Sequence, residues 1–577
     1  MRSLRALLRP LPVSLTIAAL ACAVASFLDH ASIKHALDAR SGDGDVESYT
    51  AAFHARVQHH VRVLAGVLLV CASLSVLLHA ALQRGWQHLR LDAGRFRTDL
   101  SAWAKQVKRT MGPGEAAAVL ALVAAGTGLR VALLRDAVIY DEAFTCTYYA
   151  VRPWYIAISD YSYPNNHILH TLLVKASMAL FGWGEVQARM PAFSAGLLAM
   201  IACWGWVRTA YGAGAALWAL VFVAFSGPLV EYSALARGYS MTWLFLLVGL
   251  LIARHFIRTG NRFSAVLLAL INALGMWAVP TMLYGSLMLY LHTFHGIWKR
   301  GGEEGPAHLR RCIASGLTFA AITLVLYLPV LVVYGPGQLL YDDTMGPRSW
   351  THFIGSLGHK LDEVGVHFTQ EAPWTWSAVL VAGPVLAAIL VPGHRRLMAA
   401  LVLATLPVVL LQHMLAPPRV WDFVLWILLS GAGIACNVLV QRARMPIWAR
   451  SVLGAGLALL LAVPFLHDRP GRANRFEEAR ATVDVIRQGL GPHDRVAVYV
   501  MWQSPIEFYM IKEGMGSAPL YRPTIPGAQL WLVLGTEDGT RMDEVLRFAR
   551  IDPATLSAPK NIGILPRSMI FAARING

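Results

Sequence analysis

The chain contains little charge for its length. Of its 577 residues, 15% are Asp, Glu, Lys or Arg, whereas 56% are apolar. Soluble globular proteins carry about 25% charged residues and slightly less than half apolar residues. Intrinsic disorder is excluded as well, because disordered segments are rich in charge and poor in aromatic residues. The composition therefore indicates a protein of the membrane.

Cysteine is also scarce, with six residues in the whole chain. A small secreted scaffold held together by disulfides is therefore excluded. Only Cys146 is expected to face an oxidising compartment, so we expect no internal disulfide. The other five cysteines lie inside apolar runs: Cys22, Cys71, Cys203, Cys312 and Cys436.

Acidic residues are the scarcer charge: 50 Lys and Arg oppose 34 Asp and Glu, a net charge of +16. Such an excess is typical of nucleic-acid-binding proteins. It is also typical of the cytoplasmic loops of membrane proteins. Here the basic residues lie at the ends of apolar segments, which favours the membrane and argues against a nucleic-acid partner.

Apolar segments long enough to cross a bilayer, about 20 residues as helix, occur thirteen times. Basic connectors, such as 83–113, place the amino terminus inside and the carboxyl terminus outside by the positive-inside rule. This alternation requires that 164–181 lies in the outer interface without crossing. Residues 1–28 form either an anchor or a cleaved signal peptide. The predicted spans are 11–28, 61–82, 115–135, 188–207, 214–231, 239–257, 263–280, 282–298, 312–333, 375–391, 397–415, 420–440 and 449–466.

Three regions follow from this pattern. Residues 1–113 form an amino-terminal transmembrane hairpin with a basic linker. Residues 114–466 form the main membrane module, with outer loops 136–187 and 334–374. Residues 467–577 form a small α/β domain outside the membrane, with helices at 473–489 and 504–513 and strands at 495–499 and 530–534.

The first outer loop contains two adjacent carboxylates, Asp141 and Glu142, among aromatic residues that include Tyr140 and Tyr163. An aromatic surface with a carboxylate pair is typical of a carbohydrate site. Acidic residues are also common in the first turn of a helix, and aromatic residues are common at membrane interfaces. Both interpretations stay open from these residues alone.

A second motif follows Pro164, which is suited to the first position of a helix. Asn165, Asn166 and His167 then lie at a helix amino terminus, where backbone N–H groups attract anions. Lys175 lies on roughly the same face. Two Asn residues after a proline are also ordinary turn and capping residues, and both roles are compatible.

Basic residues on the outer side run against the general charge pattern. Arg189, Arg237 and Arg419 lie at outer boundaries, and Tyr239 follows Arg237 closely. Each alone is explained by a side chain that extends to the interface. Their convergence near the two carboxylates would indicate an anionic ligand.

The order of these motifs resembles that of the GT-C glycosyltransferases that use polyprenyl-phosphate sugars, such as protein O-mannosyltransferases and lipid A aminoarabinose transferases. The shared pattern is an Asp-Glu loop after a span, a Pro-Asn-Asn-His helix start, Arg189-Met190-Pro191 and Ala236-Arg237-Gly238-Tyr239. It covers about residues 115–300. The usual His-Pro-Pro is here Asn165-Asn166-His167, and residues 1–113 lie outside the shared core.

The resemblance implies an inverting sugar transfer on the periplasmic face of a bacterial inner membrane, from a polyprenyl-phosphate donor to a lipid, glycan or protein acceptor. It implies Asp141 as general base, with Glu142 orienting it or sharing the role. The lipid tail would lie between spans near 334–374. Arg189 is alternatively a brace that pairs with Glu185. The phosphate would bind first to Arg237 and Arg419, and in second place to Lys175 and Arg189. Tyr239 and His167 would donate hydrogen bonds to it. The sugar or the acceptor would contact Tyr140, Tyr163, Asn165 and Asn166.

A divalent metal would suit the carboxylates of Asp141 and Glu142 together with Asp342 and Asp343, since hard cations prefer oxygen ligands. The family generally needs none, so we expect no cofactor. Two other classes of protein share parts of the pattern. A transporter or flippase would carry ionisable residues near the bilayer midplane, and a non-catalytic assembly subunit would not need Asp141 or Arg237.

Overall fold

The computed structural model describes residues 10–39, 49–340, 349–369, 374–468, 478–536 and 539–576. Helices make up most of these residues. Those before the carboxyl-terminal sheet are α1 Pro10–Ala25, α2 His30–Asp38, α3 Ala51–Leu77, α4 His79–Thr110, α5 Pro113–Val131, α6 Tyr140–Phe144, α7 Trp154–Ser159, α8 Ile168–Phe181, α9 Glu185–Tyr211, α10 Ala213–Phe225, α11 Gly227–Ser233, α12 Tyr239–Thr259, α13 Arg262–Ala278, α14 Met282–Arg300, α15 Gly305–Val333, α16 Gly337–Leu340, α17 Trp350–Thr369, α18 Trp374–Leu390, α19 Pro392–Gln412, α20 Asp422–Arg442 and α21 Ile447–Asp468.

The apolar helices confirm a multi-pass membrane protein. Within the described ranges, seven helices are long and apolar enough to span a bilayer, and two bent helix pairs bring this number to nine. Each of the thirteen predicted segments coincides with a helix. Three of the remaining four are shorter apolar helices, and the fourth is α14. The count of thirteen crossings therefore stays a prediction.

Two connectors differ from the loops that the sequence suggested. The basic connector 83–113 lies mostly in one long helix, α4. The outer segment 334–374 holds the short helix α16 and the twenty-residue helix α17. Helix α8 has fourteen residues, fewer than the roughly 20 that are needed to cross a bilayer. This length agrees with the prediction that 164–181 lies in the interface without crossing.

The core of the membrane module is formed by α9, α10, α12 and α20. Trp243 and Trp426 are fully buried in it, with ring centroids 6.0 Å apart. Gly433 lets α20 approach α10 closely, because a Cβ there would lie 2.4 Å from the backbone nitrogen of Ala219. This tight packing fixes the amino-terminal ends of α12 and α20, which carry part of the site described below.

The carboxyl-terminal region forms a four-stranded sheet with strand order β1-β2-β4-β3. β1 pairs in parallel with β2, and β4 is antiparallel to both β2 and β3. The two predicted strands are β1 and β2, whereas β3 and β4 were not predicted. The strands are β1 Arg495–Val498, β2 Gln529–Gly535, β3 Lys560–Ile564 and β4 Ser568–Arg574, and the helices beside them are α22 Ala479–Gly489, α23 Val500–Lys512, α24 Ala518–Tyr521 and α25 Met542–Phe548.

The sheet region docks on the first outer loop through α23. The Trp183 indole donates to the Phe508 carbonyl (3.1 Å), and the Lys512 ammonium contacts the Glu185 carboxylate (2.6 Å). Arg480 also pairs with Glu185. This docking places the domain beside the loop that carries Asp141. Residues 473–477 of the predicted helix 473–489 lie outside the described residues.

Candidate active site

Asp141 lies between two guanidinium groups that come from distant parts of the chain. Its carboxylate Oδ2 is 3.8 Å from Nη2 of Arg237 and 3.9 Å from Nη2 of Arg419. The Asp141 side chain is 32% exposed, whereas that of Arg237 is 4% exposed. The predicted convergence of an acid and two cations is therefore present, and the carboxylate is open to a ligand.

Glu142, by contrast, is completely buried in an ion pair with Arg189. Arg189 donates to both carboxylate oxygens, at 2.8 and 2.7 Å, and the Ala236 and Ile139 N–H groups donate as well. Burial alone would raise the pKa of Glu142, but Arg189 and these N–H groups outweigh it and hold that pKa below its usual value. Glu142 is thus an ionised, fully bonded carboxylate.

Arg189 also ties down the start of the loop. Its guanidinium donates to the carbonyls of Leu133, Leu134, Asp136 and Ala137 as well as to Glu142. The suggested pairing of Arg189 with Glu185 is wrong, because Glu185 pairs with the sheet region. Arg189 therefore has no donor left for a phosphate.

Arg237 is buried but weakly bonded. Its Nη1 approaches the Asp141 carbonyl, Thr145 Oγ1 and the Asn165 carbonyl, each at 3.4 Å. Its buried Nε has no hydrogen-bond partner within the described part of the chain. Buried donors are normally satisfied, so long or missing bonds at a buried guanidinium indicate a place for a missing acceptor.

His167 presents a second donor to the same place. The Gly238 N–H donates to its Nδ1 (2.9 Å), so the ring proton lies on Nε2, 3.4 Å from Nη2 of Arg237. Burial, and then the positive charge of Arg237, lower the pKa of His167 well below its usual value, which keeps the ring neutral. Two donor nitrogens therefore lie 3.4 Å apart, close enough for one acceptor to bond to both.

Gly238 is required by this contact. A Cβ at position 238 would lie 3.2 Å from Nδ1 of His167 and 3.0 Å from the Ala278 carbonyl oxygen. That spacing is tighter than most real Cβ contacts, so a side chain would push the imidazole away from the Gly238 amide.

Arg419 is oriented by Tyr239. Its Nε donates to the Tyr239 hydroxyl (3.0 Å), and the Tyr239 ring lies edge-on to His167, with centroids 5.1 Å apart. With Nε engaged in this way, Nη2 of Arg419 lies 3.9 Å from Oδ2 of Asp141. Tyr239 therefore links the histidine to the second guanidinium.

Two of the predicted residues are bonded elsewhere. The Lys175 ammonium donates to the carbonyls of Ala150 and Arg152 at 2.9 and 2.7 Å. The buried Asn166 amide donates to the carbonyls of Ala157 and Asp160 at 2.9 and 2.8 Å. These contacts satisfy backbone carbonyls of the outer loop, so both residues shape the loop.

Asn165 and the aromatic residues do border the site. The Asn165 amide lies 3.5 Å from the Asp141 carbonyl. Tyr140 stacks on Phe144, whose ring also meets Tyr163 edge-on at 5.4 Å. Tyr163 is half exposed, and such rings form an open aromatic surface beside the carboxylate.

An apolar cavity of about 440 Å³ opens next to this cluster, with His167 and Tyr239 in its wall. Its other walls come from α13, α14, α15 and α19 and from Pro336 and Leu339 of the outer segment. The sequence suggested that segment but not the cavity residues Tyr284 and Gln412, whose side chains share a hydrogen bond of 2.8 Å. The one signal for this cavity in the sequence was Gln412, a polar residue at the end of an apolar helix.

The possible metal site stays untested, because two of its four carboxylates cannot be placed. Asp342 and Asp343 lie outside the described residues. Among the residues that the structure describes, no group of three or more His, Cys, Asp or Glu side chains is arranged to hold a metal ion.

The structure resembles that of ArnT from Cupriavidus metallidurans in the apo state, with a TM-score of 0.53 and 13% sequence identity over 79% of this chain and 97% of that chain. The chain has the GT-C fold. The archaeal oligosaccharyltransferase AglB from Archaeoglobus fulgidus, solved with an inhibitory peptide and dolichol phosphate, is also similar, at a TM-score of 0.46 and 11% identity over 77% of this chain and 71% of that chain. No family model and no curated protein sequence matches the chain.

Proposed function

We propose that the chain is a membrane glycosyltransferase that moves a sugar from a polyprenyl phosphate to an acceptor. The observation that carries this proposal is the open Asp141 carboxylate beside Arg237 and Arg419. These two guanidinium groups contact His167 and Tyr239, which line an apolar cavity. A lipid-linked sugar phosphate needs an apolar channel, a cationic phosphate site and a nearby base, and the site combines the three.

The donor phosphate would lie between Arg237 and Arg419, in contact with Nε2 of His167. Guanidinium groups bind phosphate oxygens through charge-assisted hydrogen bonds, and the long contacts of Arg237 leave it free to form them. The first isoprene units would fill the cavity below His167 and Tyr239. The sugar would rest near Tyr163 and Asn165.

Asp141 would act as the general base. It takes the proton from the acceptor hydroxyl as that oxygen attacks the anomeric carbon, and the bond from this carbon to the phosphate oxygen breaks. The two guanidinium groups and the His167 N–H stabilise the extra negative charge on the departing polyprenyl phosphate. A single displacement inverts the anomeric configuration.

Glu142 and Arg189 would be positioning residues. The Glu142 carboxylate joins the Asp141 loop to the Ala236 N–H, directly before Arg237. It therefore fixes the base and the first phosphate ligand relative to each other. This assignment replaces the sharing of base and phosphate roles that the resemblance suggested for Glu142 and Arg189.

The positive-inside pattern of the connectors would place this site on the periplasmic side of a bacterial inner membrane. Helix α8, too short to cross, would lie in the outer interface. The sheet region, docked on the same loop through Trp183 and Lys512, would then also be periplasmic, where it can contact the acceptor.

The proposal is tested with purified protein that carries Asp141→Asn. Undecaprenyl-phosphate-linked sugars serve as donors and cell-envelope extract supplies the acceptor, and the assay measures the release of undecaprenyl phosphate. The variant should lose at least about a hundredfold in rate while binding undecaprenyl phosphate as tightly as the wild type. Asp543→Asn, the same change at an exposed ion pair of the sheet region, should keep its rate. Full transfer by Asp141→Asn would refute the role of this carboxylate.

A further inference from the structure

A second cavity lies at the opposite ends of three helices that line the first one. Its volume is also about 440 Å³, and α12, α14 and α19 each contribute to it. Tyr239, Tyr284 and Gln412 of these helices border the first cavity, whereas Arg254, His292 and Arg396 of the same helices border the second.

The two cavities are separated by most of the bilayer thickness. Along α12, Arg254 lies fifteen positions after Tyr239, a rise of about 22 Å. Along α19, Gln412 lies sixteen positions after Arg396, a rise of about 24 Å. The hydrocarbon core is about 30 Å thick, so the second cavity opens near the membrane surface that lies opposite Asp141.

This cavity is strongly cationic. Arg254, Arg258 and Arg396 line it together, and no Asp or Glu belongs to its wall. None of the three guanidinium groups forms an ion pair with any carboxylate of the described chain segments. Arg208 at the same end of the molecule shows the contrast, because it pairs with Glu115 at 2.6 Å.

Two buried nitrogens in the lining have no hydrogen-bond partner among the residues that the structure describes. One is the donor Nε of Arg254, and the other is the ring nitrogen Nδ1 of His292. Nε of Arg396 makes only a 3.2 Å contact with the Pro392 carbonyl of its own helix. Leaving buried donors unpaired is costly, and three clustered cations repel one another, so an anionic acceptor would relieve both penalties.

We propose that this cavity is a second anion site, which binds a phosphate group. The phosphate belongs either to the head group of an anionic membrane lipid or to free inorganic phosphate. The surroundings suit a lipid, because α14 exposes Leu291, Phe294 and Trp298 beside the cavity residue His292. Bound phosphate would hold α12, α14 and α19 together at the end remote from Asp141.

The test measures ligand-induced thermal stabilisation of the full-length protein in neutral detergent. Titrations use dioctanoyl phosphatidylglycerol, dioctanoyl phosphatidylcholine and sodium phosphate at matched ionic strength. Phosphatidylglycerol should stabilise the wild type more than phosphatidylcholine does, and stabilisation by sodium phosphate alone at the same concentration would assign the site to free phosphate. Arg254→Gln and Arg396→Gln should each weaken the binding of the effective ligand about tenfold or more, the loss expected for one charge-assisted contact.

Two control variants separate this site from other charges. Arg310→Gln removes an exposed arginine at the same end of the molecule, and Arg237→Gln removes the proposed donor-phosphate ligand. Arg310→Gln should keep the full stabilisation, and Arg237→Gln should lose only the part that comes from the donor site. Equal losses in Arg310→Gln, or the same response to phosphatidylcholine as to phosphatidylglycerol, would overturn the site. Loss only in Arg237→Gln would place the anion at the donor cavity, which also overturns it.

Discussion

Glu142→Gln should destabilise the protein far more than an ordinary change of surface charge. The Glu142 and Arg189 side chains are 0% and 1% exposed, and the carboxylate accepts four hydrogen bonds. Removing one charge of a buried pair costs about 3–5 kcal/mol, because the partner stays buried and uncompensated. Transfer should fall as well, since the Ala236 N–H beside Arg237 loses its charged acceptor.

The assay is the free energy of unfolding in mixed detergent micelles, measured by SDS titration. Asp543→Asn is the matched control, because Asp543 pairs with Arg541 and Arg547 on the surface, where such pairs contribute less than about 1 kcal/mol. A double variant, Glu142→Gln with Arg189→Met, should be less destabilised than the sum of the single changes. A loss below about 1 kcal/mol for Glu142→Gln would refute the bracing role.

Four further changes separate the proposed roles of the residues around the site. Tyr239→Phe removes the acceptor of Arg419 Nε and should weaken undecaprenyl phosphate binding about tenfold, as measured by titration; unchanged affinity would contradict the link. Lys175→Met should lower the unfolding free energy by about 1–3 kcal/mol, since two carbonyls lose their donor, yet leave that affinity unchanged. Thr323→Trp fills the apolar cavity and should weaken undecaprenyl phosphate but not inorganic phosphate. Burial raises the pKa of Glu507 to about 6, above its usual 4.5. Ionisation of this carboxyl group therefore destabilises the folded state increasingly between pH 4.5 and 6. Glu507→Gln should be more stable than the wild type by up to about 2 kcal/mol at pH 7.5, with no such gain at pH 4.5.

Local sequence patterns predicted the helices, and the family resemblance implied the meeting of Asp141 with Arg237 and Arg419. Apolar run length determines where a membrane helix can form, and a positive charge at an outer boundary needs an anionic partner or ligand. Those constraints act on each segment separately, so they can be read without knowing how the helices pack.

The partners of the remaining charges depend on packing and could not be predicted. Glu185 lies four residues before Arg189, which is the spacing of a helical ion pair. Arg189 nevertheless pairs with Glu142, 47 residues earlier in the chain. Glu185 pairs instead with Lys512. The apolar cavity is likewise formed by residues from several helices, with no common motif. Strand β3 was missed because most of its residues are exposed, which weakens the alternation that identifies strands.

The central claim is that a lipid-linked phosphate binds between Arg237 and Arg419, beside Asp141. A cryo-EM structure of the protein in nanodiscs with undecaprenyl phosphate tests this most directly. We expect the phosphate within hydrogen-bond distance of both guanidinium groups and of Nε2 of His167, with the isoprenoid chain in the cavity next to Tyr239. Phosphate density elsewhere, with that cavity empty of lipid, would contradict the account.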